Sequence, residues 1–178
     1  MRLPHAIYQD GEDFFSDLGQ TYKKHSKGLF IMTPSGAGKT YFCNRQIEPE
    51  WIDGDVLWIE SGAQPPIEWW NGSIPLIERI EQRCDVITAQ AIDDGFWVMG
   101  SVNSWLKPNA IVIPSWETLV ERIHTRQVSG NYDGGLTDSH LNQLKVHISI
   151  IEKWHTDYGV PKFESIDEAV SALVDQDV

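Results

Sequence analysis

Leu29-Phe30-Ile31-Met32-Thr33-Pro34-Ser35-Gly36-Ala37-Gly38-Lys39-Thr40 passes from four apolar residues into a glycine loop that ends in a lysine and a threonine. An unbroken apolar run followed at once by turn chemistry predicts a short strand buried on both faces, as in the middle of a parallel sheet. Across Ser35, Gly36, Ala37 and Gly38, the two glycines let successive backbone N–H groups turn inward around an anion. Lys39 is then placed to reach the β- and γ-phosphates of a nucleotide, and the Thr40 hydroxyl to sit on Mg²⁺. A helix expected from about Tyr41 adds its positive end to the same anion site. The stretch follows the pattern G-x-x-x-x-G-K-[ST] except at its first position, where Thr33 stands in place of glycine. The expectation is a nucleoside triphosphate, ATP, bound with Mg²⁺.

At 178 residues the chain suits one domain, residues 1–178, with a core large enough to need no disulfide or structural metal. Acidic residues outnumber basic ones by 26 to 14, so the net charge of −12 disfavours a broad non-specific nucleic-acid surface. It leaves room for a local basic patch, and Lys23-Lys24-His25 with Lys27 is one candidate. Cys43 and Cys84 are too few and too isolated for a disulfide framework or a zinc site, which points to a reducing compartment. No apolar run approaches the roughly 18 residues needed to span a membrane. A cytoplasmic protein is expected.

Strand and helix signals alternate along the chain. Residues 10–25 suit a short amphipathic helix with Phe14, Phe15 and Leu18 as its apolar contacts. Strands are expected at 29–32, 51–53, 95–100, 110–114 and 160–163. Helical spacing joins Leu76, Ile80, Ile87 and Ala91, then Leu119 and Ile123, then Leu141, Leu144, Ile148 and Ile151. The alternation predicts an α/β fold with a parallel sheet covered on both faces and the site at the carboxyl ends of the strands. Residues 54–75 and 128–138 read as long irregular stretches. Segments of that length inside a compact domain are usually functional or mobile, and they suit an acceptor-binding insert and a lid.

Asp53-Gly54-Asp55 lies where the second strand ends. One carboxylate of such a pair can serve Mg²⁺ or its water, and the other can accept a proton from an attacking hydroxyl. Asp-Gly-Asp is also good turn chemistry, so a purely structural role stays open. The third strand ends at Gly100 and Ser101 without a carboxylate. Arg122 and Arg126 share one side of the helix expected at 117–127, just before the second irregular stretch, where they could neutralise charge on a transferring phosphoryl group. A solvated helix face is the competing reading, and Lys145 could join the pair. Arg79 and Arg83 repeat the spacing on an earlier helix, either to hold an acceptor phosphate or to pair with Glu78 and Glu81. Trp58, Trp69 and Trp70 fall in the first irregular stretch, where aromatic faces can stack on a nucleobase. Trp97 and Trp154 read as core.

Three motifs together resemble the small P-loop kinases, the superfamily that includes adenylate, thymidylate, shikimate, gluconate and adenylyl-sulfate kinases. They are Pro34 to Thr40, Ile52-Asp53-Gly54-Asp55, and Leu119 to Arg126 before a glycine-rich loop. The likeness covers most of residues 28–174. It implies a P-loop NTPase fold, with five parallel strands in the order 2-3-1-4-5, helices on both faces and a lid before the returning helix. It also implies phosphoryl transfer in which Lys39 and the loop amides hold phosphate, Thr40 and Asp55 serve the metal, and Arg122 with Arg126 act as clamps. Asp-Gly-Asp is most similar to the branch that phosphorylates alcohols, where a base such as Asp53 helps. Gly62-Ala63-Gln64-Pro65-Pro66 with Trp69-Trp70 resembles kinases of large DNA phages that act on 5-hydroxymethyluracil in DNA. A nucleotide-like hydroxyl acceptor is therefore expected, in the host cytoplasm if the chain is phage-encoded. A nucleoside monophosphate kinase is the nearest alternative, and an ATP-binding regulatory protein with slow hydrolysis is one of another class.

Overall fold

The structure is a computed structural model, and it describes residues 14–67, 69, 72–101, 105–129 and 137–174. In chain order the elements are α1 (Phe14–Thr21), β1 (Leu29–Met32), α2 (Lys39–Asn44), β2 (Trp51–Asp53), α3 (Gly54–Glu60), α4 (Ile74–Asp93), β3 (Trp97–Gly100), β4 (Ala110–Val112), α5 (Trp116–Val128), α6 (Asp138–Tyr158), β5 (Lys162–Phe163) and α7 (Ile166–Val174). The strands form one five-stranded, all-parallel sheet in the order β2-β3-β1-β4-β5. That is the α/β architecture and strand order expected of the chain. Every residue of β1, β2, β3 and β4 is buried, which is why these segments, apart from Asp53 at the end of β2, are apolar runs without alternation. A fully buried side chain such as Ile31 contributes about 1.5–3 kcal/mol relative to exposure.

The chain divides into two compact units, Met1–Phe30 with Cys43–Lys107, and Ile31–Phe42 with Pro108–Val178. In the first, β2 pairs with β3 in the register Trp51↔Trp97, Ile52↔Val98 and Asp53↔Met99. Helices α3 and α4 pack on these strands. Ile80, Cys84, Ile87 and Ala91 form the buried stripe of α4, while Leu76, expected in that stripe, is exposed. In the second unit, Ile31↔Ala110 and Met32↔Ile111 set β1 against β4, and Ile111↔Lys162 and Val112↔Phe163 set β4 against β5. Helices α6 and α7 cover β4 there.

Two expectations need correction. Residues 54–60 are not irregular but form α3, because Asp53 caps them: its Oδ1 accepts the Asp55 backbone N–H at 3.0 Å. Leu57 and Trp58 then give the short helix a buried side. Helix α2 begins at Lys39 rather than Tyr41 and runs only six residues, so its dipole is small. Of the stretch read as a lid, Val128 ends α5, Asp138 opens α6, and residues 130–136 lie outside the described residues.

Candidate functional site

In the second unit, β1 delivers its chain into the glycine loop. Thr33 and Pro34 are buried directly after the strand, and the Ala37 N–H donates to the Pro34 carbonyl at 3.2 Å. Gly36 and Gly38 have φ of 84° and 102°, a region closed to most L-residues. A side chain at Gly36 would also press on Ile123 of α5, whose Cγ1 lies 3.3 Å from the position of a Cβ. Lys39 is buried at the first position of α2, which is uncommon for lysine and keeps the side chain against the protein rather than in bulk water. Ser35, Thr40 and Tyr41 are exposed.

Arg122 of α5 joins this loop. Its Nη1 donates to the Ala37 carbonyl at 2.6 Å. In a trans peptide the carbonyl and the next N–H point in opposite directions, so this bond turns the Gly38 N–H away from Arg122. Spacing alone left Arg122 between clamp and solvated surface; it is bonded to the loop itself. Arg126, one turn later, is exposed. Lys145, expected beside the two arginines, instead lies over the Trp116 ring at 5.0 Å from its centroid.

The first unit holds the other expected residues. Asp53 is 5 % exposed and Asp55 half-buried, at the junction of β2 and α3. The turn reading of Asp-Gly-Asp is realised as a helix cap, with Asp53 Oδ1 accepting the Asp55 N–H. Trp58 is corrected outright. Its ring is fully buried, its Nε1 donates to Thr88 Oγ1 at 2.9 Å, and no face is left for a base. Trp69 is buried as well, and Trp70 lies outside the described residues. Trp97 is core, as expected.

The basic patch before β1 is also corrected. Lys23 pairs with Glu50 and Lys24 with Asp94, each at 2.6 Å. The His25 ring stacks on Trp97 at 3.5 Å between centroids, and burial pushes its pKa below the ordinary 6.5. Arg79 and Arg83 are exposed on α4, and among the described residues neither pairs with Glu78 or Glu81. They face instead into a cavity of about 740 Å³ that sequence reasoning did not anticipate. Its walls come from α1, the end of α3 with the segment after it, and α4, elements whose meeting no local pattern announces.

Among the described residues, no group of three or more His, Cys, Asp or Glu side chains gathers to hold a metal ion. Mg²⁺ at a nucleotide asks for less, since it keeps several waters and takes one or two side-chain ligands beside phosphate oxygens. The exposed Thr40 hydroxyl next to the loop fits that donor set. No described helix is long and apolar enough to cross a membrane. No protein-family model matches the chain, and no curated protein is similar enough to count as a relative.

Proposed function

We propose that the chain is an ATP- and Mg²⁺-dependent kinase that transfers the γ-phosphoryl group to a hydroxyl of a nucleotide-like acceptor. The observation that carries the reading is the glycine loop, with left-handed Gly36 and Gly38, Lys39 opening α2, and Arg122 on the Ala37 carbonyl. Backbone N–H groups beside a lysine and an arginine suit a polyphosphate better than any neutral ligand. Ser35, Gly36, Ala37, Gly38 and Tyr41 frame the phosphates, Lys39 holds the β- and γ-phosphates, and Thr40 is the side chain that would hold Mg²⁺. That ion supplies neutralisation of the charge that develops on the phosphate oxygens.

Asp53 takes the proton of the acceptor hydroxyl as the new P–O bond forms. The bond to the β-phosphate oxygen breaks, and ADP leaves. Arg126 assists at the transferring group, and Asp55 anchors the acceptor or serves the metal. The acceptor class includes 5-hydroxymethyluracil, free or within DNA.

The test is transfer of labelled γ-phosphate from ATP with Mg²⁺ to a panel of nucleosides, nucleoside monophosphates, small sugars, and DNA with and without hydroxymethyluracil. Label is expected in hydroxymethyl-bearing nucleotides, and Lys39→Met should abolish it. Hydrolysis that no acceptor changes would overturn the kinase reading in favour of a regulatory ATPase. Label on monophosphates lacking a free alcohol target would make the chain a nucleoside monophosphate kinase.

A further inference from the structure

A buried carboxylate on α4 has no part in the chemistry proposed above. Asp85 is fully buried, and its Oδ2 accepts the Trp105 backbone N–H at 2.9 Å. Taking an ionised carboxylate out of water is costly unless hydrogen bonds answer it. This bond answers a backbone donor, and it fixes where the chain runs between β3 and β4.

What that connection carries is an indole. Trp105 is 50 % exposed, whereas Trp51, Trp58, Trp69 and Trp97 of the same unit are buried. Among the described residues its ring stacks on no other ring and lies under no cation, and its Nε1 has no hydrogen-bond partner. The same turn of α4 reaches the Asp53-Gly54-Asp55 element. Thr88, three residues after Asp85, accepts the Trp58 N–H at 2.9 Å, and that ring lies against Gly54 and Gly100. Strand β3 ends at Gly100, whose Cα stands 3.0 Å from where a Cβ on Gly54 would be. The connection therefore leaves the sheet beside Asp-Gly-Asp, and its five residues carry Trp105 no farther than about 18 Å away. Asp55 acts on this turn as well: after burial, its charge and that of Asp85 hold the Cys84 thiol above its ordinary pKa.

We infer that Trp105 stacks on the planar base of the acceptor, and that Asp85 is the positioning residue that holds Trp105 for it. An aromatic face whose backbone is already pinned loses little freedom when a base lies on it. The pair supplies the stacking surface that Trp58 and Trp69, both buried, cannot offer. The identity of the ligand rests on the kinase reading, so the test measures binding and transfer separately.

Titration of the full chain with the 5-hydroxymethyluracil nucleoside, without triphosphate, should quench tryptophan fluorescence in wild type and not in Trp105→Ala. That variant should bind the nucleoside roughly five- to a hundredfold more weakly, the worth of one stacked base, and Trp105→Phe should recover most of the loss. In transfer assays the same loss should appear in the acceptor KM, with kcat and the KM for ATP unchanged. Asp85→Asn keeps an oxygen for the Trp105 N–H and should bind nearly as wild type does. Asp85→Ala should weaken acceptor binding as Trp105→Ala does, and the double variant should lose little more. A lower urea midpoint for Asp85→Ala with acceptor affinity intact would overturn its positioning role. If Asp85→Ala does not fold, Trp105→Ala, at a half-exposed position, carries the test. A wild type that binds no nucleoside, or nucleoside affinity that Trp105→Ala leaves intact, would overturn the inference while phosphate transfer kept the kinase reading standing. Trp105-dependent nucleoside binding with no transfer from ATP would do the reverse.

Discussion

Arg122 and His25 show how one side chain can hold a functional or a pH-dependent state. The Arg122 bond to Ala37 belongs to the loop itself, so under the proposed kinase reading its loss should appear in ground-state nucleotide affinity. Arg122→Ala is expected to weaken binding of both ADP and a non-hydrolysable triphosphate by roughly tenfold or more, the worth of a charge-assisted hydrogen bond. A residue acting only on the transition state would lower turnover and leave both affinities intact. His25 makes the second case. Its backbone N–H donates to the Gly95 carbonyl at 2.9 Å, its ring lies flat on Trp97, and Nε2 is buried without a hydrogen-bond partner among the described residues. Burial disfavours the charged ring and Lys23 adds to the effect, while Glu50 opposes it. A histidine whose folded pKa lies below its unfolded 6.5 stabilises the fold fully above that pH and progressively less as pH falls toward the folded value. Urea midpoints should therefore fall from about pH 7.5 to about pH 5.5 more steeply in wild type than in His25→Phe. Parallel curves would remove His25 as the cause.

At the scale of elements, α3, α4 and β3 meet around a single indole. A Cβ at Gly100 would stand 2.7 Å from Cη2 of Trp58, and one at Gly54 2.9 Å from its Cζ2. Both positions are glycine because the ring lies against the backbone itself. Gly100→Ala should cost about 1–3 kcal/mol by overpacking. Thr88→Val, which keeps the shape but removes the acceptor of the Trp58 N–H, should cost about 1–3 kcal/mol for the buried donor it strands. Urea unfolding measures both; a cost near zero for Thr88→Val would mean that the indole finds another acceptor. This cluster also explains what the sequence could disclose. The strands were legible because burial on both faces writes an unbroken apolar run, and the order of the sheet followed from resemblance. Helix α3 was not legible: seven residues opening on glycine, followed by Pro65-Pro66, look locally like loop. The fate of Trp58 depended on Thr88, thirty positions away. Likewise the glycine loop announced itself in consecutive residues, whereas the bond from Arg122 crosses 85 positions, and the cavity needed three separate elements.

For the molecule as a whole, charge bears on how the proposed acceptor would be presented. With a net charge of −12, long-range attraction to duplex DNA is unfavourable, so any purchase on its backbone must come from local clusters. The segment best suited to that task has its first two lysines in ion pairs with Glu50 and Asp94, and its histidine is held toward the neutral form by burial. Exposed pairs of this kind add little stability, but each cancels the field that a phosphate would feel. Recognition should therefore reside in the reacting nucleotide and its immediate phosphate rather than in flanking duplex. For a series running from the free hydroxymethyl nucleotide through short oligonucleotides to long duplex, kcat/KM should stay nearly constant with length. Its logarithm should fall with the logarithm of salt concentration at a slope no steeper than about −2, because each neutralised phosphate contributes roughly −0.9. A rise with duplex length and a markedly steeper slope would mean that several basic groups track the DNA backbone, and the acceptor would then be DNA as a polymer rather than a nucleotide unit.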